Sequence, residues 1–342
     1  MHKSIIRARS ANRNVKIQIR TYENYLHEDM SFSTSKDVEF LSAVSLGLKH
    51  RVKKIIRTGR HNLQIRDRSG SNAVHIAAKK NDPELLKMIC EKGVPASIRK
   101  RDGMFLTPFM IASKHGCKES LEYLHMEARV DIFTRDNEGQ NAVHYAAIGG
   151  SLECFVYLVK NAKLPYKDCN TVNGNTVLHL AAKHGNLAVI KYCCEVLKLD
   201  PHQFNYQGMA PLRFAIENNY LHTVTYFVGV WSVNVFLPDD KGISPIAYAA
   251  SYKHLFIIFS YLSDMVPAES LVEGDLLLTR SIHEPPLTPL KAAFKYNNSQ
   301  AIELISKKTE KQRKINVHWI STHSNILGKL DKSIINNIIN YT

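Results

Sequence analysis

The sequence lacks the features that define several broad classes of protein. Its six cysteines are scattered and none forms a C-x-x-C pair, so neither a disulfide framework nor a zinc framework is predicted. The longest apolar stretches, 226–237 and 255–262, are shorter than the roughly 18 residues of a membrane-spanning helix. The first residues also lack the apolar core of a secretory signal. Together these absences favour reduced thiols and a cytoplasmic protein, with the nucleus as the alternative compartment.

Motifs of catalysis and cofactor binding are missing as well. The sequence contains no glycine-rich phosphate loop, no G-x-S-x-G elbow, no H-E-x-x-H pair and no set of kinase motifs. The adjacent acids Asp239 and Asp240 precede Gly242, a pattern typical of a turn rather than of a catalytic pair. The sequence therefore predicts a protein that is not an enzyme and that needs no cofactor or metal.

Positive charge is concentrated in the first third of the chain. The net charge is +14, and residues 1–101 contain 22 Lys+Arg against 9 Asp+Glu. Residues 102–342 contain 23 against 22, a surplus of one. Such an asymmetry indicates either an acidic partner for the N-terminal third or lysine-rich helix faces that serve solubility.

A seven-residue pattern recurs along the chain, as in Asn72-Ala-Val-His-Ile-Ala-Ala and Thr176-Val-Leu-His-Leu-Ala-Ala. The copies begin at Asn72, Thr107, Asn141, Thr176, Ala210, Ser244 and Thr288, with spacings of 35, 34, 35, 34, 34 and 44 residues. A degenerate copy begins near Val38, which makes about eight units. Each unit reads as a turn followed by two helices. The first residue is a helix N-cap, a proline often follows at the first helical position, and a Gly or Asn closes the short helix.

This pattern resembles the ankyrin repeat, whose motif T-P-L-H-x-A recurs about every 33 residues. The resemblance covers residues 37–306. It implies an all-α solenoid of about eight ankyrin repeats, in which helix-turn-helix units are joined by β-hairpin-like turns and form a curved stack with a concave binding face. It also implies a monomer that binds protein partners. His75, His144 and His179 occupy the fourth motif position, where the family's histidine bonds within the turn network and holds repeat to repeat.

Three segments lie outside the regular pattern. Residues 1–36 form a basic arm; a mitochondrial presequence is disfavoured because Val15–Arg20 alternates like a strand. Residues 263–287 form an acidic insertion between the last two units. Residues 307–342 form a basic tail, with apolar positions on one helix face near its end, that caps the array or docks a partner.

The resemblance places the binding site on the turn tips and on the exposed ends of the first helices. The predicted partner-binding residues are Arg68, Lys79, Lys80, Lys114, His115, Lys183, His184, Tyr206, Met209, Tyr252 and Tyr296. Of these, Tyr252 is expected to be exposed, so that its removal would affect binding and not stability.

The leading hypothesis is a non-catalytic scaffold or adaptor that binds a protein partner in the concave groove. An acidic segment would lie on the basic N-terminal repeats and an apolar or mixed segment on the C-terminal ones. One alternative is a binder of polyanions (microtubules, nucleic acid or anionic membranes) through the basic N-terminal third, although motifs for nucleic-acid recognition are missing. The other alternative is a ubiquitin-ligase substrate adaptor with a C-terminal docking helix.

Overall fold

The computed structural model describes residues 35–58, 65–67, 69–91, 105–167, 171–273 and 287–327. The chain divides into two compact units, Met1–Leu199 and Asp200–Thr342, which are called here the N-terminal and C-terminal units. The predicted Arg68 and the arm up to residue 34 lie outside the described residues. No helix in the described ranges has the length and apolar character needed to cross a membrane.

Seventeen α-helices make up the described part of the chain, which contains no β-strand. They are α1 Ser35–Ser45, α2 Lys49–Thr58, α3 Ala73–Lys79, α4 Pro83–Glu91, α5 Pro108–Lys114, α6 Lys118–Met126, α7 Ala142–Gly149, α8 Leu152–Lys160, α9 Val177–Lys183, α10 Leu187–Lys191, α11 Pro211–Glu217, α12 Leu221–Gly229, α13 Pro245–Ser251, α14 Phe256–Asp264, α15 Ala268–Glu273, α16 Pro289–Lys295 and α17 Ser299–Leu327. Most are paired, and within each unit the first helix of one pair packs on the first helix of the next. This arrangement is the all-α repeat solenoid that the sequence predicts.

The first helices begin as the sequence predicts. The hydroxyl oxygens of Thr107, Ser244 and Thr288 each accept a hydrogen bond of 3.3 Å from the backbone N–H three residues later. Prolines stand at the first helical position after these caps, where no N–H is needed. Alanines such as Ala146 and Ala147 are fully buried, because small side chains let neighbouring first helices approach closely.

A residue in the left-handed region ends most of the first helices. Asn81 has a φ of 54° and Gly150 a φ of 77°, as expected for helix closers. The unit that begins at Ser244 has neither Gly nor Asn at this place. There the chain is extended at Tyr252 and makes a 3₁₀ turn, Lys253–Leu255, before α14 begins.

The turns before the first helices are organised by an acidic or amide side chain. Asp136 Oδ1 accepts hydrogen bonds from the backbone N–H groups of Glu138 and Gln140 at 2.9 and 2.8 Å. Asp67 and Asp239 hold the corresponding turns in the same way. The turn tips predicted from the Asp and Gly pattern are thus fixed by side-chain hydrogen bonds as well as by backbone conformation.

The segments outside the repeat pattern are described only in part. The boundary placed at residue 306 lies inside α17, a single helix that continues the last pair into the basic tail. The acidic insertion contains α15, and its residues 274–286 lie outside the described part of the chain. The predicted apolar face near the C-terminus, at residues 330–339, also lies outside it.

Candidate functional site: a basic groove and a tyrosine cluster

One open groove of the N-terminal unit is lined by basic side chains from two neighbouring first helices. Lys79 and Lys80 lie at the C-terminal end of α3, and Lys114 and His115 at the C-terminal end of α5. Ser69 borders the groove from the preceding turn. The groove measures about 1220 Å³, including the space open to solvent. The four basic residues, called here the basic groove residues, are all exposed, so four predicted site residues share one surface.

The carboxylate that lines this groove already accepts hydrogen bonds from its own turn. Asp67 lines the groove, but its Oδ1 accepts hydrogen bonds from the Ser69 hydroxyl at 2.7 Å and from the Ser71 N–H at 2.9 Å. It serves the turn rather than the lysines. Within the described residues, none of the basic groove residues forms a salt bridge.

Lysines on the second helices are paired differently. Lys49 Nζ lies 2.6 Å from Glu84 Oε2, and Lys118 Nζ lies 2.6 Å from Glu153 Oε1. Each pair joins the second helix of one repeat to that of the next, and each hydrogen bond raises the pKa of its lysine. Lys49 and Lys118 are thus neutralised by glutamates, whereas none of the basic groove residues has such a partner among the described residues.

Burial and nearby lysine charges lower the pKa of two predicted histidines, His115 in the groove and His184 on α9. Burial lowers the pKa of His115, and the charges of Lys79 and Lys114 lower it further. Burial, then Lys183 and Lys114, lower the pKa of His184 in the same way. Both imidazoles are therefore neutral at neutral pH, since an ordinary histidine already has a pKa near 6.5.

Lys114 acts on predicted residues of two different repeats. Its charge acts on both His115 and His184, which are separated by the repeat that contains α7. Its ammonium also lies 6.0 Å from the centre of the Tyr145 ring, a cation–π contact on α7. Lys183 and His184 are exposed at the end of α9. The N-terminal unit thus carries exposed basic side chains at the ends of α3, α5 and α9.

In the C-terminal unit, three tyrosines form a cluster. The ring centres of Tyr248 and Tyr252 are 4.8 Å apart, and those of Tyr252 and Tyr296 are 5.5 Å apart. The structure therefore brings the predicted residues Tyr252 and Tyr296 together. The expectation that Tyr252 is exposed was wrong: the residue is half-buried, because its ring lies against the rings of Tyr248 and Tyr296 at the point where α13 ends.

An arginine beneath this cluster was not singled out from the sequence. Arg213 stands where other repeats have the motif histidine, and its side chain is 6% exposed. Its guanidinium carbon lies 3.5 Å from the centre of the Tyr248 ring, and its Nε lies 3.1 Å from Glu217 Oε1. Burial raises the pKa of Tyr248 to about 12. The substitution of Arg for His in the motif was the signal that could have pointed to this stack.

The two other predicted residues of the C-terminal unit lie on one turn. Tyr206 is 71% exposed at the tip of the turn that leads into α11. Met209 is half-buried and lines a small pocket of about 350 Å³ with Arg213 and Leu237. The pocket is mainly apolar, and Met209 forms part of its lining rather than an exposed turn tip.

The motif histidines have a structural role. His75, His144 and His179 are buried, and the Nδ1 of each accepts the backbone N–H of its own helix N-cap at 3.2–3.3 Å. The Nε2 of His75 also lies 3.1 Å from the Leu106 carbonyl in the next repeat, the expected link between repeats. The capping role was not foreseen. Among the described residues, no three His, Cys, Asp or Glu side chains are placed to hold a metal ion.

Comparison with known proteins identifies the family of these repeats. A family model for ankyrin repeats in three copies matches residues 40–136, 75–168, 110–203 and 163–235. The overlapping matches together cover more than half of the chain. The recurring pattern, the paired helices and the family model all indicate the same fold.

Similar proteins are larger and diverse. Inversin from Canis lupus familiaris is 26% identical over 183 residues, which are 51% of this chain and 16% of Inversin. Palmitoyltransferase AKR1 from Debaryomyces hansenii is 26% identical over 215 residues, 59% of this chain and 26% of the relative. E3 ubiquitin-protein ligase KEG from Arabidopsis thaliana is 25% identical over 150 residues, 44% of this chain and 9% of the relative. The chain matches only a minor part of each of these proteins.

Proposed function

Since the chain belongs to the ankyrin-repeat family, we propose that it is a non-catalytic scaffold that binds an acidic segment of a partner protein in the basic groove. Ankyrin repeats generally mediate protein–protein interaction, and repeat arrays present extended surfaces for that purpose. One observation carries the proposal: the basic groove residues line one open groove and have no acidic partner within the described part of the chain, whereas Lys49 and Lys118 on second helices pair with glutamates.

The charge state of the groove agrees with this proposal. Burial, and after it the nearby lysines, lower the pKa of His115 in the groove and of His184 outside it, so the positive charge of the groove comes from its lysines, which no acid of the described residues pairs with. Complementary charge steers association and selects partners more than it adds affinity. The partner is therefore a protein segment rich in Asp or Glu.

The tyrosine cluster supports a second contact with the same partner. Tyr296 is 40% exposed and lies against Tyr252, so an apolar or mixed segment would find aromatic surface there. Tyrosine is enriched at protein interfaces because its ring is apolar and its hydroxyl is polar. This contact would add apolar burial to the electrostatic recognition at the groove.

A charge-reversal experiment tests the proposal. Lys79→Glu with Lys80→Glu should reduce capture of partners from the native cell and weaken the purified complex by about tenfold or more, since several kcal/mol can separate like-charge from opposite-charge contacts. Lys53→Glu with Lys54→Glu is the matched control, because it makes the same change in net charge on exposed positions of the second helix α2. An unchanged set of partners with the groove variant would refute the proposed site.

A further inference from the structure

Two histidines occupy the same place in different repeats of the N-terminal unit. His115 follows α5 and His184 follows α9, with φ and ψ of −94° and 5° in the first and −108° and 5° in the second. Both are exposed, and each follows a lysine in the sequence. The intervening repeat has Gly149, which carries no side chain, at the equivalent position.

Lysines on the neighbouring first helices are the charged groups that act on these imidazoles. Lys79 from α3 and Lys114 from α5 act on His115, and Lys183 from α9 and Lys114 from α5 act on His184. Asp67 lines the groove beside His115, but its carboxylate accepts the N–H groups of the turn. Each imidazole therefore lies among cations that oppose its protonation.

We propose that His115 and His184 bind carboxylate or phosphate oxygens of the partner's acidic segment, and that each takes up a proton as the segment binds. The inference rests on the proposed function of the basic groove. An oxyanion between Lys114 and an imidazole offsets the repulsion from the lysine and accepts a hydrogen bond from the charged ring. The neutral form that burial and the lysines favour in the free protein is then no longer favoured in the complex.

The direction of the pH dependence follows from this exchange. The pKa of each histidine is lowered in the free protein and rises in the complex, so the complex holds more protons than its components. Affinity then increases as pH falls through the interval between the two values. Glutamate side chains stay ionised between about pH 7.5 and 5.5, because their ordinary pKa is about 4.3.

Calorimetry of the full chain with a hexaglutamate peptide tests the inference. Titrations at one pH slightly below neutral, at fixed ionic strength, in two buffers of different ionisation heat give the number of protons taken up, and we expect net uptake. Titrations across the pH range give the affinity profile, and we expect affinity to rise several-fold between about pH 7.5 and 5.5. His115→Gln with His184→Gln should remove the uptake and flatten the profile, whereas His222→Gln, at an exposed site on α12, should change neither.

The outcomes separate the two proposals. Failure of the peptide to bind at any pH would refute the basic groove, and the histidine inference with it. Binding that depends on Lys79 and Lys80 but takes up no proton would refute the inference alone. A peptide with phosphoserine in place of glutamate distinguishes the source of the oxyanion: a phosphate site gives tighter binding than hexaglutamate, with a maximum near pH 6, because the second phosphate pKa is about 6.

Discussion

At the scale of single residues, Arg213 shows how one substitution in a repeated motif creates a different contact. The planar guanidinium stacks on Tyr248, with 3.5 Å between its carbon and the ring centre, and it bonds Glu217. Arg213→Lys keeps the charge but loses the flat stacking surface. We expect the variant to lose about 1–2 kcal/mol of unfolding free energy in urea denaturation, the value of a desolvated cation–π contact. Unchanged stability would show that the charge alone matters at this position.

The motif histidine His179 and the exposed His184 are expected to differ in their contribution to stability. Its Nδ1 accepts the Thr176 N–H at 3.2 Å and lies 2.9 Å from the Thr176 hydroxyl, and the ring is fully buried. His179→Ala should cost roughly 1–3 kcal/mol, because the buried N-cap loses its acceptor. His184→Ala, five residues later and exposed, should be nearly neutral. Hydrogen exchange should locate the loss in the repeats around α9, and equal losses for both variants would contradict the assignment.

At the scale of helices, close approach of the first helices depends on glycine at one helix end. A Cβ built on Gly149, the last residue of α7, would lie 1.9 Å from the Lys114 carbonyl oxygen of α5. Gly149→Ala should therefore destabilise the protein by about 1–3 kcal/mol, as overpacking does, although alanine favours a helix. Gly229 also ends its helix, but there a Cβ would meet only the Tyr261 hydroxyl, at 3.7 Å. Gly229→Ala should leave the melting temperature unchanged or raise it, and equal effects would argue against the close packing.

How far the sequence predicts this architecture depends on the range of the interactions. Helix starts at Thr107 and Ser244 and helix ends at Asn81 were predictable, because caps and left-handed closers are decided within a few residues. The burial of Tyr252 was not, since it depends on a ring contributed 44 residues later by Tyr296. The register of the repeat predicts which lysines line the groove. It does not predict that these lysines lack salt bridges, because that depends on which acidic side chains lie near them in the folded chain.

At the scale of the whole molecule, positive charge from two sources could attract an acidic partner. Residues 1–101 carry 22 basic and 9 acidic side chains, shared between the N-terminal arm and the first repeats. A groove site and a polyanion-binding arm would both weaken in salt, so salt dependence alone does not separate them. The two differ in which part of the chain is needed.

Deletion of residues 1–34 distinguishes them. These residues contain six Lys+Arg and three Asp+Glu, and the deletion leaves every basic groove residue in place. We expect the truncated chain to bind hexaglutamate within about twofold of the full chain, because the proposed contacts with Lys79, Lys114 and their neighbours all remain in place. Fluorescence anisotropy at physiological salt would measure both affinities, with Lys79→Glu plus Lys80→Glu as the variant expected to lose binding. If the deletion removes binding and the charge reversal does not, the arm is the recognition element and the groove is not.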